Sequence, residues 1–594
     1  MSKDTYPHLE ALRELMRGKH IDAVIIPGTD PHQSEYPAEH WKFRDFVSGF
    51  TGSNGTAVVT LDEAGLWTDS RYFLQAEEQL EGSGFSLHKE GVEGEPTTLQ
   101  WLGEVLGEDS VLGIDGRLFS LVEANRIEMF CAQNGFMFAP DFRAAEAIWA
   151  DRPARPMNPA FVHDEALAGE DVDSKISRVL EVVEEAEADG LLVTSLDDIA
   201  WLFNLRGSDV DYTPVVISFA YLSEYERVLF IDSEKVTSEV EDHLKKYNIR
   251  VRDYDDIEKY LGKIRDSHTV MLDPDRVSDA LGQAMICNKT YHTSPIIALK
   301  GVKNESQIEG FRKAVLYDGV AMVRMMMWME QNVANGITEM DVDRRLQQER
   351  AAFESSRGDS FHMIAAYKDH GAIVHYEATD ESAYTLEPNG LLLIDTGGQY
   401  LEGTTDVTRT VSLGNPTEAE KHDFTLILKG HLALSRAMFP KGTTGVQLDV
   451  LARGPLWQEG MTFFHGTGHG IGHFLGCHEG PQSIRMQINE TPLALGMVTS
   501  NEPGIYKTGE YGIRTENLIL CVPACQSEEW GEFYKFETLT LFPYDTTLID
   551  MDMLTREEVK QINAYHAMVV ERLSPMLNAD ERLWLEEKCK EINL

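Results

Sequence analysis

The sequence has few cysteines, no long apolar run and a shortage of basic side chains. Six cysteines in 594 residues do not make a disulfide framework, so we expect a reducing compartment. No run approaches the roughly 18 apolar residues of a membrane span, and the charged N-terminus lacks a signal-peptide core, so we expect a cytoplasmic protein with no membrane partner. With 53 Lys and Arg against 98 Asp and Glu, the formal charge is −45, which argues against nucleic acid as a partner.

The chain is too long for one hydrophobic core, and its first half predicts α/β structure. Apolar periodicity predicts a helix over 6–17, a strand over 22–28, strand–turn–strand over 43–60, and a strand then a helix over 65–80. A similar order of elements is predicted over 176–207. This similarity favours a duplication; the alternative is a chance likeness between two α/β units. The prolines of 152–162 indicate a boundary between a domain at 1–158 and a related one at 159–298.

A third domain is expected over 299–594, with a helical C-terminal tail. Asn304 with Gln307, and Thr338 with Asp341, have the spacing of helix capping boxes. The methionine-rich stretch that follows Asn304 is typical of a core-filling stripe. The apolar face of the tail is expected either to pack against this domain or to form a dimer contact.

One glycine-rich run, HGTGHGIGHFLGCHEGP at 465–481, carries four histidines: His465, His469, His473 and His478. Taken alone, it is equally typical of a mobile surface loop. It fails the G-x-G-x-x-G pattern of a nucleotide-binding loop in every register. Histidine is the commonest metal ligand. Whether the run belongs to a metal site therefore depends on the other ligands that surround it.

Four carboxylates are predicted on or beside strands that flank this run: Asp395, Asp406, Glu502 and Glu516. Asp395 ends an apolar strand within 390–398, and Asp406 lies in a β-branched strand at 404–413, where Arg409 is an alternative partner for it. Glu516 and Arg514 share one face of a single strand over 511–522 by alternation. A buried carboxylate is costly unless it is paired or binds a metal.

These side chains together predict a metal centre. Mostly oxygen ligands with one imidazole suit Mn²⁺, Co²⁺ or Zn²⁺. Five ligands, several of them carboxylates, suit two metal ions that activate a shared water.

The ordered motifs LIDTGGQYLEGTTDVTRT, HGTGHGIGHFLGCHEGP, SNEPGIY and GIRTENL resemble those of the pita-bread metallopeptidases, which include methionine aminopeptidases, prolidases and aminopeptidase P. The segments FRDFVSGFTGSNGTAVVT and GLWTDSRYFLQAE, the second α/β unit and the tail resemble the three-domain cytosolic Xaa-Pro aminopeptidases. The resemblance covers nearly the whole chain. It implies an α/β (α+β) protein with two related N-terminal α/β domains before a pita-bread catalytic domain.

The resemblance also implies roles for individual residues. It implies two divalent ions, most often Mn²⁺, with Co²⁺ or Zn²⁺ as alternatives, held by Asp395, Asp406, His469, Glu502 and Glu516. Asp406 and Glu516 are expected to bridge the ions, and Glu502 to move the proton of the attacking water. The expected catalytic set is Glu502, His375, His465 and His478. The expected substrate contacts are His375, His478, Tyr506 and Arg514. His473 is expected to be a bystander, since relatives often have a small residue there.

The implied reaction is removal of the N-terminal residue from small peptides with proline in the second position. A hydroxide that bridges the two metals would attack the first peptide bond. Relatives are often homodimers, so a homodimer is expected. The alternatives are a prolidase-like dipeptidase or a creatinase-like hydrolase on the same fold. A metal-free scaffold relative is disfavoured, because all five ligand positions are filled.

Overall fold

The computed structural model describes residues 6–593, which form two compact units. The first unit runs to residue 165 and includes 170–297; the second consists of 166–169 and the described residues from 298 onward. The helices of the first half are α1 Tyr6–Lys19, α2 Phe43–Ser48, α3 Phe73–Gln79, α4 Thr98–Val105, α5 Leu121–Asn134, α6 Ala144–Ile148, α7 Glu165–Ala168, α8 Val172–Glu185, α9 Leu196–Phe203, α10 Ser238–Lys246, α11 Ile257–Leu261 and α12 Asp279–Ala284. Its strands are β1 Ala23–Ile26, β2 Thr56–Thr60, β3 Ala64–Thr68, β4 Ser86–Lys89, β5 Val111–Gly113, β6 Met137–Ala139, β7 Phe161–Val162, β8 Gly190–Val193, β9 Leu205–Arg206, β10 Phe219–Ser223, β11 Arg227–Phe230, β12 Arg250–Arg252, β13 Thr269–Leu272 and β14 Asn288–Tyr291.

Two six-stranded sheets in the first unit share one topology. Their strand orders are β4-β3-β2-β1-β5-β6 and β12-β11-β10-β8-β13-β14. Along each of these orders, the first pairing is parallel, the next two are antiparallel and the last two are parallel. The matching order and directions support two related α/β domains, as predicted. The limits 1–158, 159–298 and 299–594 remain predictions.

The prediction of strand, turn and strand over 43–60 is wrong in its first element. Residues 43–48 form the helix α2, and only β2 is a strand. Phe43 and Val47, four residues apart, are both buried in the core of the first sheet, and Gly49 ends the helix at φ 80°. Packing of this apolar face overrides the strand preference of the aromatic residues. The predicted elements over 6–17, 22–28 and 65–80 are confirmed.

The second unit contains the elements that build the candidate site. Its helices are α13 Pro295–Gly301, α14 Glu305–Asn332, α15 Glu339–Ala351, α16 Glu418–Ser435, α17 Gly445–Trp457, α18 Arg556–Leu573 and α19 Ala579–Lys588. Its strands are β15 Ser356–Asp359, β16 Ile364–Tyr367, β17 Leu391–Thr396, β18 Gly398–Tyr400, β19 Gly403–Thr404, β20 Val407–Ser412, β21 Met438–Pro440, β22 Gly468–Gly470, β23 Glu479–Ile484, β24 Val498–Asn501, β25 Gly504–Lys507, β26 Tyr511–Arg514, β27 Asn517–Ser527 and β28 Gly531–Thr538. The sheets β16-β17-β20 and β21-β28-β27-β24-β22-β23 carry the predicted ligands or lie directly beside them.

The long helix α14 fills the core of this unit. Both predicted capping boxes are confirmed: Asn304 and Gln307 cap α14, and Thr338 and Asp341 cap α15. Three methionines of the predicted stripe are at most 5% exposed: Met325, Met326 and Met329. The methionine-rich face is therefore core, as expected.

The C-terminal tail packs against the second unit. Val559, Ile562 and Tyr565 of α18 belong to its main apolar core. The buried guanidinium of Arg409 donates to the Tyr565 hydroxyl at 2.9 Å and to the carbonyl oxygen of Pro543 at 3.1 Å. Arg409 belongs to β20, so this side chain ties the tail to a strand of the site. Of the two alternatives for the tail, the structure therefore shows packing against its own unit.

None of the helices within residues 6–593 is both long and apolar enough to cross a bilayer. All six cysteines are free thiols, as expected. Cys521 is buried, whereas Cys525 is exposed on the same strand, β27.

Gly430 allows α16 to approach α17 closely. A Cβ added to it would lie 2.1 Å from the carbonyl oxygen of Ala452. We expect Gly430→Ala to overpack this contact by about 1–3 kcal/mol and to lower the melting temperature of the second unit, measured by calorimetry. Gly18→Ala is the control, because nothing lies within 4 Å of an added Cβ there. Equal melting temperatures for the two variants would show that the helices separate at no cost.

Candidate metal centre

Two neighbouring strands place the two aspartates. β17 pairs antiparallel with β20, and Asp395 lies opposite Thr408. Asp395 is therefore near the end of a fully buried strand, as predicted, and Asp406 comes one residue before β20 begins. Both aspartates are buried, so neither charge is solvated by bulk water.

The predicted strand position of Asp406 is wrong. Asp406 is not in the middle of a strand over 404–413, because β19 ends at Thr404 and β20 starts only at Val407. The described contacts also do not pair it with Arg409, whose guanidinium donates to the backbone oxygens of Thr408 and Glu516. Arg409 therefore holds backbone segments together, and the Asp406 charge is left for other partners.

The histidine run forms a hairpin that needs its glycines. His469 lies in β22, which pairs with β23 and β24. A Cβ added at Gly468 would lie 2.0 Å from the Ser500 carbonyl oxygen, and one at Gly470 would lie 2.4 Å from that of Glu479. The glycines therefore allow backbone segments to approach closely on both sides of His469, as predicted.

Glu502 and Glu516 lie at breaks between strands. Glu502 follows β24 by one residue, and its Oε1 accepts a hydrogen bond of 3.0 Å from Ser500. Glu516 precedes β27, and its Oε2 accepts one of 2.8 Å from Thr408. The prediction of one strand over 511–522 is wrong, because β26 ends at Arg514 and β27 starts at residue 517. The break turns Glu516 toward β20, where its backbone N–H also bonds to Thr408.

The structure brings the five expected ligands together. Nε2 of His469 lies 3.5 Å from Oδ2 of Asp406 and 3.4 Å from Oε1 of Glu502. One ligand atom each of Asp406, His469 and Glu516 lies within 4.8 Å of the others. Asp395 is close enough for its charge to act on Asp406, Glu502 and Glu516. Their role as metal ligands remains a prediction.

Burial and mutual repulsion raise the pKa of three of these carboxyls well above the usual range. Burial is the largest cause for each. The charges of Glu516 and Asp395 raise the pKa of Asp406 further. The charge of Asp406 does the same for Glu502, and the charge of Glu502 for Glu516. The site therefore favours binding of positive charge.

The donor set fits divalent cations. Oδ1 of Asp395 is buried and has no hydrogen-bond partner among the described residues, while its Oδ2 accepts from Arg514. An unpartnered buried carboxylate oxygen is costly unless a cation binds it. Carboxylate oxygens with one imidazole match the preferences of Mn²⁺, Co²⁺ and Zn²⁺. The hydroxyls of Thr408 and Ser500 orient two of the donors, as outer-shell groups do in metal sites.

A hydrogen-bonded chain leads from the carboxylates to His465. Arg514 donates to Oδ2 of Asp395 and, at 2.7 Å, to the Tyr506 hydroxyl. That hydroxyl lies 2.8 Å from Nε2 of His465. Nδ1 of His465 bonds to the carbonyl oxygen of Gly466 at 2.7 Å, so Nε2 is the acceptor and Tyr506 the donor. Burial raises the pKa of Tyr506 to about 12, which keeps the hydroxyl protonated.

A buried ion pair on α17, missed from the sequence, supports the start of the histidine run. Nε of Arg453 donates to Asp449 at 2.6 Å, and its Nη2 donates to the carbonyl oxygen of His465 at 2.8 Å. Asp449 also accepts from the Thr467 hydroxyl. The i, i+4 spacing of Asp449 and Arg453 was the available signal, but such pairs are usually exposed.

The remaining histidines of the run have different surroundings. The exposed His478 packs edge to face against His469, with ring centroids 4.3 Å apart. His473 is buried and packs edge to face against Phe311 of α14. Sequence reasoning also missed the buried thiol of Cys477, which donates to Oδ2 of Asp406 at 3.1 Å. A single cysteine beside a histidine carries no signal for this contact.

His375 is the expected site residue that the geometry ties least directly to the cluster. It is half-buried and follows the 3-10 turn Lys368–Ala372. That turn packs against β26, because a Cβ on Gly371 would lie 2.8 Å from the backbone nitrogen of Gly512. The role of His375 remains a prediction.

Comparison with known proteins covers nearly the whole chain. Residues 309–523 match metallopeptidase family M24, and 532–592 match the C-terminal region of that peptidase. Residues 8–137 and 151–307 each match the creatinase/prolidase N-terminal domain. The probable Xaa-Pro aminopeptidase P of Coprinopsis cinerea is 38% identical over 615 residues, with 99% of each chain covered.

Solved structures agree with these matches. An X-prolyl aminopeptidase from Caenorhabditis elegans, described as cytosolic with a di-nuclear active site, superimposes with a TM-score of 0.95. It is 34% identical, and the match covers 99% of this chain and 100% of that one. A Xaa-Pro dipeptidase from Bacillus anthracis, 23% identical with a TM-score of 0.52, covers only 63% of this chain and shows the fold alone. The chain therefore belongs to the M24 metallopeptidases, among the Xaa-Pro aminopeptidases P.

Proposed function

We propose that this protein removes the N-terminal residue from small peptides with proline in the second position. The observation that carries the proposal is the convergence of Asp395, Asp406, His469, Glu502 and Glu516 in a chain that aligns end to end with aminopeptidases P. The dipeptidase alternative is weaker, because the relatives reported above that match over 99% of the chain are named Xaa-Pro aminopeptidase P and X-prolyl aminopeptidase. A cytoplasmic homodimer, with neither nucleic acid nor membrane as a partner, is part of the proposal.

The five clustered side chains would hold two divalent ions, and the family resemblance favours Mn²⁺. When bound, such ions lower the pKa of a water and polarise the carbonyl that it attacks. Asp395, Asp406, Glu502 and Glu516 would hold the positive charge, with His469 as the single nitrogen donor. Thr408 and Arg514 hold Glu516 and Asp395 in place.

Four further side chains would handle protons and substrate. Burial and the charge of Asp406 raise the pKa of Glu502, which suits a carboxylate that takes a proton and passes it on. His478 lies exposed beside the cluster, where its imidazole can donate to a peptide carbonyl as negative charge develops. Tyr506 and Arg514 fix the orientation of His465. His375 would add a second substrate contact.

Substrate choice tests the proposal directly. We expect the Mn²⁺-loaded protein to release arginine from Arg-Pro-Pro, because a tertiary amide at proline is the bond that this family cleaves, and to act poorly on an Xaa-Pro dipeptide. Chromatography of the products checks both. Turnover of the dipeptide alone would establish the prolidase alternative.

Substitution of the ligands separates them from the bystander. We expect Asp406→Ala and Glu516→Ala to abolish turnover and to lower bound metal, measured by elemental analysis. His473→Ser should retain most activity, because His473 packs against α14 and lies outside the carboxylate cluster. A loss in His473→Ser equal to that in Asp406→Ala would mean that the wrong histidine has been assigned.

Metal binding should stabilise the protein more at pH 7.5 than at pH 5.5. The folded-state pKa values of Asp406, Glu502 and Glu516 are raised above the roughly 4 of an unfolded chain, so the metal-free fold loses stability as pH rises above that value. Bound cations remove this repulsion and compete with protons for the same oxygens. We expect a larger Mn²⁺-induced rise in melting temperature at pH 7.5.

Glu516→Gln is the control for this experiment. Removing one charge should raise the melting temperature of the metal-free protein at pH 7.5 and abolish the Mn²⁺ response. A variant that is less stable without metal, yet still responds to Mn²⁺, would contradict the proposed charge balance.

A further inference from the structure

We propose that Glu339 is a positioning residue that holds the loop carrying His375 and thereby sets the orientation of that imidazole toward the peptide. The inference deepens the proposed function and rests on it, because His375 matters only if it contacts substrate. It also assigns a role to His370, a buried histidine of this segment that the proposed function does not use.

His375 lies in a long connection with little regular structure. Between the end of β16 at Tyr367 and the start of β17 at Leu391, the chain contains only the 3-10 turn Lys368–Ala372. A loop of this length needs specific contacts to keep one conformation, and such loops commonly carry functional residues.

One buried carboxylate supplies those contacts. Glu339, the first residue of α15, is fully buried. Its Oε1 accepts from the Tyr367 backbone N–H at 2.7 Å, and its Oε2 from the Tyr384 backbone N–H at 2.7 Å and from the Tyr376 hydroxyl at 3.0 Å. Nδ1 of His370 lies 2.9 Å from Oε1 and 3.1 Å from Oε2. Glu339 therefore joins the start, the middle and the far part of the loop.

Aromatic stacking makes this arrangement rigid. The His370 ring lies between Tyr376, at 4.2 Å between centroids, and Tyr384, at 3.6 Å, with interplanar angles of 26° and 18°. Tyr376 is the neighbour of His375, so its ring and hydroxyl fix the backbone next to the imidazole. Shifting Tyr376 would break a stack and a hydrogen bond together.

The loop is also docked on the strands of the site. Gly512 of β26 leaves no space at this contact, because an added Cβ would lie 1.7 Å from the carbonyl oxygen of Gly371. β26 ends at Arg514, which binds Asp395. The strand that positions one carboxylate thus also supports the loop that Glu339 ties down.

A double-mutant cycle tests whether Tyr376 and Glu339 act through His375. Tyr376→Phe removes the hydrogen bonds of this hydroxyl with Glu339 and Ser382 and keeps the ring. We expect it to lower kcat/KM on Arg-Pro-Pro about tenfold in the native background and less than about twofold in His375→Ala, with bound metal unchanged. Equal losses in the two backgrounds would mean a general structural role and would overturn the inference.

Tyr400→Phe is the matched control, since it also removes a buried hydroxyl bonded to a carboxylate, Asp318, at 3.0 Å. We expect it to lower the melting temperature about as much as Tyr376→Phe, with little change in kcat/KM in either background. If Tyr400→Phe reduced activity as strongly, the effect of Tyr376→Phe would be one of stability alone, and the inference would fail.

Hydrogen exchange tests the anchor without any need for activity. We expect Tyr376→Phe, and more strongly Glu339→Asp, to raise amide exchange in peptides spanning 368–384, on the order of tenfold, and Tyr400→Phe to leave them unchanged. Unchanged exchange in both anchor variants would overturn the inference. An inactive native protein would refute the proposed function, and hydrogen exchange would still decide whether Glu339 anchors the loop.

Discussion

Repulsion among three buried carboxylates and the half-buried Glu502 is the constraint on which the second unit depends. Three of them have raised pKa values, and each of these is influenced by the charge of at least one of the others. Such a cluster opposes folding unless protons or cations bind it. The fold must therefore hold side chains together that, without a cation, would move apart. That requirement explains the many buried polar contacts around the site.

The supporting contacts act mainly on the backbone and leave most of the negative charge in place. Arg409 and Arg453 are buried beside the site, yet both donate to backbone carbonyl oxygens. Arg514 alone among these three bonds directly to a carboxylate of the cluster, Asp395. If all three arginines paired with the carboxylates, they would offset three of the four negative charges and the site would bind cations weakly. Strand geometry is thus stabilised while the affinity for positive charge is retained.

The sequence predicted which side chains converge better than it predicted the strands that carry them. Asp395 and Glu502 were singled out because a carboxylate at the end of an apolar strand is chemically unusual, whereas His469 was chosen among four histidines only through the family resemblance. The strand breaks at Asp406 and Glu516 were missed, since a β-branched run gives no sign of where backbone pairing changes. The helix α2 was missed for a related reason: its aromatic residues favour strand locally, and only the packed core reveals the helical face. Glu339 was missed because its partners are distant in sequence. Arg453 was missed because the sequence does not show that its ion pair is buried and reaches the backbone of His465.

The histidine run shows why a motif alone does not assign roles. β22 and β23 pair across a bulge, and this returns the chain so that His478 packs edge to face against His469. The intervening turn carries His473 to the α14 side, where it packs against Phe311. His478, nine residues after His469, thus contacts its ring directly. His473, only four residues after His469, lies in another environment. The hairpin register decides which imidazole faces the carboxylates, and that register depends on the glycines that let β22 approach its neighbours.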